Sequence, residues 1–241
     1  MDSAEVQMNT FKITDRIGDI VVAIPKTAEV FQRHHLDYCC GGDRSLQEAV
    51  NELHLSQDDL LNELNTIARN AQASDSDCHV MTPPQLVDHI VSTHHAFLWT
   101  TLPQLSELTT TLLRVHGANH PELKVVHHLL GELKMELEAH LLTEETVQYP
   151  AIDAYFKNPS PLTLEPALAV IRKLESEHVA VGNILKELRA VTHDYTVPED
   201  GCETYQTTYA LFEKLELDIF QHIHLENNQL FPQLANLHSA L

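Results

Sequence analysis

From residue 83 onward, apolar side chains recur at steps of three and four, and the pattern predicts four long helices over 83–116, 121–148, 164–192 and 203–231. In the second, Val126, Leu130, Leu133, Leu137, His140, Glu144 and Val147 form one stripe; in the fourth, Phe212, Leu215, Ile219, His222, Glu226 and Leu230 do the same. The third carries Leu168, Ile171, Leu174, His178, Val181, Leu185 and Leu188. The first carries Val87, Val91, His95, Leu98, Leu102, Leu105 and Leu112, with Pro103 expected to bend it gently. Stripes of this width pack in a bundle, and short connections make successive helices antiparallel. The first seventy residues read instead as short helices broken by turns. TDRIGDIVVAI is followed by PKTAEVFQRHHL, which Pro25 opens, and by a Gly-Gly turn in DYCCGGD. Ser45 then caps SLQEAVNEL with Glu48 at the capping-box position, and Ser56 caps DDLLNELNTIARNA. The small polar stretch QASDSDCHVMT reads as a linker. The expected fold class is therefore all-α: a helical N-terminal domain (1–71), a linker (72–82), and an up-down-up-down four-helix bundle (83–241).

The stripes are interrupted at one level by His95, His140, Glu144, His178, His222 and Glu226. Two H-x-x-x-E pairs, His140/Glu144 and His222/Glu226, each offer an imidazole and a carboxylate from the same helix face and lie near the predicted helix ends, before VQYP and NNQLFP. At a rise of about 1.5 Å per residue, the six groups fall in one slab of an antiparallel bundle. Burying a carboxylate without a partner costs several kcal/mol, and a cation removes that cost for both glutamates together. Imidazole mixed with carboxylate and free of thiolate suits a di-iron or di-manganese site. Glu144 and Glu226 are expected to bridge, leaving room for an oxo or hydroxo bridge and an open position for NO or O2. His116 is excluded, because a straight helix puts it about 31 Å from His95, whereas paired metals lie only about 3.5–4 Å apart. His94, His127, His128 and His224 fall off the stripes and read as solvated.

A formal charge of −20 argues against nucleic acid or an anionic membrane surface as a partner. No run of 18 apolar residues and no secretory pattern at MDSAEVQMNTFK is present, so a soluble cytoplasmic protein is expected. Four cysteines are too few for a disulfide scaffold. The adjacent Cys39 and Cys40 before two glycines do not look like core residues, and their thiols could accept iron, react with NO or dock a partner.

These segments resemble the hemerythrin-like di-iron proteins for repair of iron centres (the RIC family, of YtfE/ScdA/DnrN type). DYCCGG resembles the signature of that family's N-terminal domain, and DHIVSTHH, EAHLLTEE, ESEH and QHIHLENNQLFP resemble its four ligand-bearing segments. The resemblance implies two irons per chain on His95, His140, Glu144, His178, His222 and Glu226, with Cys39 and Cys40 matching the family's paired cysteines. It further implies a stress protein that helps restore iron-sulfur clusters damaged by nitric oxide or peroxide by supplying iron, acting in the cytoplasm on damaged iron-sulfur proteins, with a homodimer as one possible state. An NO, nitrite or O2 reductase and a gas sensor are the alternatives. Tyr149 stands where the family often has Phe and offers an added hydrogen bond near the site. The third helix has one stripe histidine and no H-x-x-x-H pair, so stable reversible O2 carriage is not expected.

Overall fold

The computed structural model describes residues 11–72 and 81–239, and among these there are helices but no strand. Residues 73–80, and with them most of the expected linker and Cys78, lie outside the described residues. By packing, the N-terminal segment together with Asn227–Gln229 forms one compact unit and the rest of the chain another.

The N-terminal unit contains α1 (Ile17–Ala23), α2 (Ala28–Arg33), α3 (Leu46–Glu52) and α4 (Gln57–Gln72). α1 stops where Pro25 opens a short 3-10 turn into α2. α3 begins with a reciprocal capping box. The Glu48 amide donates to Ser45 Oγ, and the Ser45 amide donates at 2.8 Å to the Glu48 carboxylate, which holds that carboxyl below its ordinary range. Ile17, Val30, Phe31, Leu46 and Leu64 are fully buried and form the core. Between α2 and α3, Asp37 Oδ1 accepts from the amides of Cys39, Cys40 and Gly41 at 3.0–3.2 Å and so winds the Cys-Cys-Gly-Gly segment into a turn. Gly42 is needed for close approach, since a Cβ there would lie 2.7 Å from the Tyr38 carbonyl oxygen.

The second unit is built of four rods. α5 (Pro83–His89) passes through a π-helical turn, Ile90–His95, into α6 (Ala96–His116). α7 (Leu123–Thr143) passes through a π turn, Glu144–Gln148, into α8 (Tyr149–Lys157). The third rod is two helices, α9 (Pro161–Ala169) and α10 (Ile171–Val191), where one was expected. The fourth is α11 (Glu203–Leu225), a π turn Glu226–Leu230, and α12 (Phe231–Ser239). α6 packs against α7 and α11, and α7 against α10, while α8 packs on α5 and α9 and α9 on α12. The four short helices meet in an apolar cluster that includes Leu86, Ile152, Leu164, Phe231 and Leu234. The expected site level therefore sits part-way along the rods, with packed hydrocarbon beyond it, and not near their ends.

The wide turns explain both departures from simple helical counting. Pro150 and Pro232 do not terminate their helices. The Tyr149 and Phe231 amides instead bond five residues back, to the carbonyls of Glu144 and Glu226, and each proline, lacking an N–H, is the next residue. Each wide turn adds a residue to the register. Val147, expected in the seam, is 44% exposed, and the neighbouring Gln148 is fully buried in its place. On the first rod, Leu86 and Ile90 are buried before the wide turn, whereas Val87 and Val91 are only partly so. After it the expected face resumes at His95, Leu98, Leu102 and Leu105.

α10 and α11 are joined by a charge pair. Arg189 Nε lies 3.0 Å from Glu216 Oε2, Nη2 makes a second, shorter contact to the same carboxylate, and the Glu216 side chain is 2% exposed. Arg189 also reaches Asp194 at 3.2 Å and lies over the Tyr195 ring. His193, Asp194 and Tyr195 all have φ near +50° to +56°, so this guanidinium holds a left-handed three-residue turn.

Candidate metal centre

Glu144 and Glu226 each open one of the wide turns, and His95 closes the third, so three of the six expected ligands sit where the helix pitch changes. π turns of this kind occur often at functional sites. His140 and His222 stand one α-turn before the two glutamates, and His178 lies within α10. All six side chains are at most 2% exposed.

The structure brings them together in two groups with one member in common. Donor atoms of His140, Glu144, His178 and Glu226 lie within 4.8 Å of one another, as do those of His95, Glu144 and His222. Glu144 Oε1 is 3.0 Å from His140 Nε2, while Oε2 is 3.3 Å from His95 Nε2 and 3.8 Å from His222 Nε2. One carboxylate thus faces both groups, an oxygen to each. Glu226 Oε2 lies 3.1 Å from His178 Nε2, 3.5 Å from His222 Nε2 and 4.0 Å from His140 Nε2.

An outer ring orients these groups. His95 Nδ1 is 2.8 Å from Glu145 Oε1, which also accepts from Trp99 Nε1, and His140 Nδ1 is 2.9 Å from Glu177 Oε2. A carboxylate on Nδ1 fixes the tautomer that presents Nε2 to a cation. Tyr149 Oη donates to Glu226 Oε1 at 2.8 Å, leaving Oε2 as the oxygen turned inward. Burial and the facing Glu226 and Glu144 carboxylates push the Tyr149 phenol well above its ordinary range, so it remains a donor.

The donor set fits a cation. His95 Nε2, both Glu144 oxygens, Glu226 Oε2 and both His222 nitrogens are buried with no hydrogen-bond partner. An unpaired buried polar atom costs about 1–3 kcal/mol and more if charged, so a layer of them is sustained by something that binds them together. Burial, with Glu226 adding to it, pushes the Glu144 carboxyl well above the ordinary carboxylate range. Burial acts on Glu226 too, but His222, His178 and His140 outweigh it and hold that carboxyl well below the range. Burial lowers the His222 imidazole well below its usual value; on His95 burial acts in the same direction but contacts with Glu144 and Glu145 outweigh it.

The remaining histidines divide. His94 and His224, expected to be solvated, are 3% and 5% exposed. His94 Nδ1 is 3.0 Å from Asp218, and its ring stacks at 5.8 Å on His222, where the wide turn has rotated it inward from the expected surface. His127 is half-buried against Thr110, and His128 is exposed beside Glu132. His116 meets Cys202 and no member of the six. Glu145, Glu177 and Asp218 were not read from the sequence. The usable signal was an acid one residue before or after a stripe ligand, as in Glu144-Glu145 and Glu177-His178. Cys39 is buried and Cys40 half-buried, their sulfurs 3.9 Å apart, and Asp37, Cys39 and Cys40 form a third group close enough to hold a metal. The Cys40 contact and burial push the Cys39 thiol well up.

Replacing Tyr149 by Phe keeps the ring and removes the phenol that holds Glu226. Competition against a coloured chelator is expected to show a 10- to 100-fold loss of cation affinity with unchanged helical content. An unchanged affinity would mean that the hydrogen bond does not position Glu226.

Four helical rods around two buried imidazole–carboxylate groups with a shared glutamate define a cation-binding bundle of the hemerythrin type. Residues 85–234 match the family described as the Hemerythrin HHE cation binding domain, and residues 13–68 match ScdA_N, described as a domain of unknown function. The chain is 31% identical over 217 residues to the iron-sulfur cluster repair protein YtfE of Yersinia pseudotuberculosis, covering 90% of this chain and 95% of that protein. It is 28% identical over 219 residues to the iron-sulfur cluster repair protein ScdA of Staphylococcus haemolyticus, covering 91% and 97%, and 29% identical to its Staphylococcus epidermidis counterpart over 92% and 98%. The chain belongs to this family of hemerythrin-like iron-sulfur cluster repair proteins.

Proposed function

We propose that the protein binds two iron ions at His95, His140, Glu144, His178, His222 and Glu226, and that it supplies iron to iron-sulfur clusters damaged by nitrosative or oxidative stress. The observation that carries this reading is the shared Glu144, which turns one oxygen to each of two histidine groups. Bound iron would supply Lewis-acid and redox chemistry at this layer. The chain's own contribution is to orient the ligands through Glu145, Glu177 and Tyr149 and to keep bulk water out with the apolar cluster beyond the site. Cys39 and Cys40 are proposed as a thiol pair for iron transfer, with the more accessible Cys40 as the first contact. The names of the repair proteins that this chain resembles support damaged iron-sulfur clusters as the target, and the cytoplasm is proposed as the setting. No helix among the described residues is long and apolar enough to cross a membrane.

The test is reactivation of a cluster enzyme inactivated by NO. Iron-loaded protein is expected to restore activity, and iron-free protein or the iron-treated Glu144→Ala variant is expected not to. Equal recovery from free iron at the same concentration would reject the reading. A second reading, a gas-reducing enzyme, draws on the group of His95, Glu144 and His222, whose three donors leave a coordination position for NO or O2. Steady turnover of NO with an electron donor, in place of a stoichiometric reaction, would favour it.

A further inference from the structure

A second cluster of titratable side chains lies around the C-terminal end of α6 and the start of α11, apart from the six candidate ligands. Cys202 is the N-cap of α11, with extended backbone at φ −80° and ψ 175°. His116, the last residue of α6, brings Nε2 to 3.2 Å from Cys202 Sγ. The other ionisable groups here are His120 and Glu122 from the α6–α7 connection, Asp200 and Glu203 at the entry to α11, and Tyr205 on α11. The two nearest acids have a partner of their own: Glu122 lies 3.0 Å from His120 Nδ1 and Asp200 lies 2.9 Å from His120 Nε2. Those contacts outweigh desolvation and raise the His120 imidazole above its usual value. The Tyr205 ring stands edge-on to both imidazoles, 5.5 Å from His116 and 5.8 Å from His120. Tyr205 and Glu122 also line a cavity of about 160 Å³ with Thr192, His193, Thr196 and Pro198. Cys202 is itself exposed.

We propose that Cys202 and His116 form a thiol-exchange site, at which a low-molecular-weight disulfide reacts to leave a mixed disulfide on Cys202. His116 takes the thiol proton. The Cys202 sulfur then attacks one sulfur of the disulfide, a new S–S bond forms, and the old one breaks with its electron pair leaving on the second sulfur. That thiolate takes the proton back. Cys202 is oxidised to the mixed disulfide and one sulfur of the small disulfide is reduced to a thiol, so the disulfide is the oxidant and no other is required. The exposed position of Cys202 leaves its sulfur open to the incoming disulfide. The His116 contact, with the backbone at the start of α11 adding to it, brings the Cys202 thiol down to about 7, so the reactive form is half-populated near neutral pH and declines as pH falls below it. Relative to an ordinary thiol near 8.5, the thiolate fraction at pH 7 is about 16-fold higher, and the lower basicity takes back about six-fold in nucleophilicity. A net gain of about three-fold at pH 7 and about five-fold at pH 6 results.

The test uses the full chain, pulse-labelled with iodoacetamide between pH 5.5 and 9, with the Cys202 peptide read by mass spectrometry. The expected midpoint is near 7, and His116→Gln is expected to move it above 8. In parallel, 2-hydroxyethyl disulfide, a neutral probe suited to a chain of charge −20, is expected to form a mixed disulfide at Cys202 ahead of the buried Cys39. A native midpoint near 8.5, a midpoint unmoved in folded His116→Gln, or reaction at Cys39 before Cys202 would each overturn the proposal. The native profile decides by itself should the variant fail to fold. Loss of metal binding at the bundle centre would leave the Cys202 profile unchanged, so this result and the iron reading fail separately.

Discussion

Stripping the protein with a strong chelator is expected to lower its melting temperature by roughly 8–16 °C, and ferrous iron restored under anaerobic conditions is expected to raise it again. A ligand present at about a thousand times its dissociation constant stabilises the folded state by about 4 kcal/mol. In a domain of 150–250 residues each kcal/mol is worth about 2–4 °C. The effect is large here because removal of the cation leaves buried imidazole nitrogens and carboxylate oxygens without partners. Site counting sharpens the expectation. Glu144 belongs to both groups, so Glu144→Ala takes a donor from each, leaving three in one and two in the other, and is expected to lose at least one iron and most of the iron-dependent rise. His178 belongs to one group, so His178→Ala is expected to reduce two irons per chain to one while His95, Glu144 and His222 keep the other. Differential scanning calorimetry with metal analysis reads both. Two irons retained by Glu144→Ala would rule out the shared-carboxylate arrangement.

Arg189→Ala is expected to destabilise the bundle by about 3 kcal/mol, a fall of roughly 6–12 °C in melting temperature. The loss comes chiefly from what remains behind. Glu216 is 2% exposed, and truncating Arg189 takes away the guanidinium that faces its buried carboxylate. The value lies at the low end for a broken buried pair because Arg189 itself is a quarter exposed. A second contribution is the left-handed turn at His193–Tyr195, where three successive residues sit in a conformation that side chains disfavour and Arg189 bonds to Asp194 and covers Tyr195. Replacing both partners by Met is expected to recover most of the loss, because hydrocarbon of similar volume carries no uncompensated charge. Additive losses in the double variant, measured by urea denaturation, would show that the two residues act independently.

The fold and the six candidate ligands were legible because each ligand continues an apolar stripe, and an α-helix makes such stripes countable. His140 and Glu144 stand on the same seam as Leu133 and Leu137, and His222 and Glu226 on that of Leu215 and Ile219, all of them buried. Counting failed chiefly where the helix was not α, and once within α11, where His224 is buried although it stands off the stripe. It placed Val147 inside and made His94 a surface residue, because a 3.6-residue period cannot register an added residue. The signal was nonetheless in the chain: Glu144 and Glu226 are each followed, at the same distance of six residues, by a proline behind an aromatic residue. Read as termination, those prolines conceal α8 and α12. Read as amides missing just after the residue that closes a wide turn, they locate both turns. The outer ring was harder to read, since Glu145, Glu177 and Asp218 lie off the stripes: the first two are marked only by standing next to a stripe ligand, and Asp218 differs from other acids only in what stands across from it.

The six candidate ligands extend from residue 95 to residue 226, and no short segment holds more than one histidine and one glutamate of the set. A zinc finger gathers its ligands from a short stretch and lets the metal organise the chain. In this bundle the gathering is done by hydrocarbon. Docking α7, α10 and α11 requires closing long stretches of chain before the four donors of the larger group meet, and α6 must join them to complete the second. That entropy is repaid only by the packed seams. Metal uptake during refolding is therefore a late event and a reporter of complete assembly: a chain that has paired only two of its helices has an incomplete binding place, and iron in solution has little means of hurrying it along.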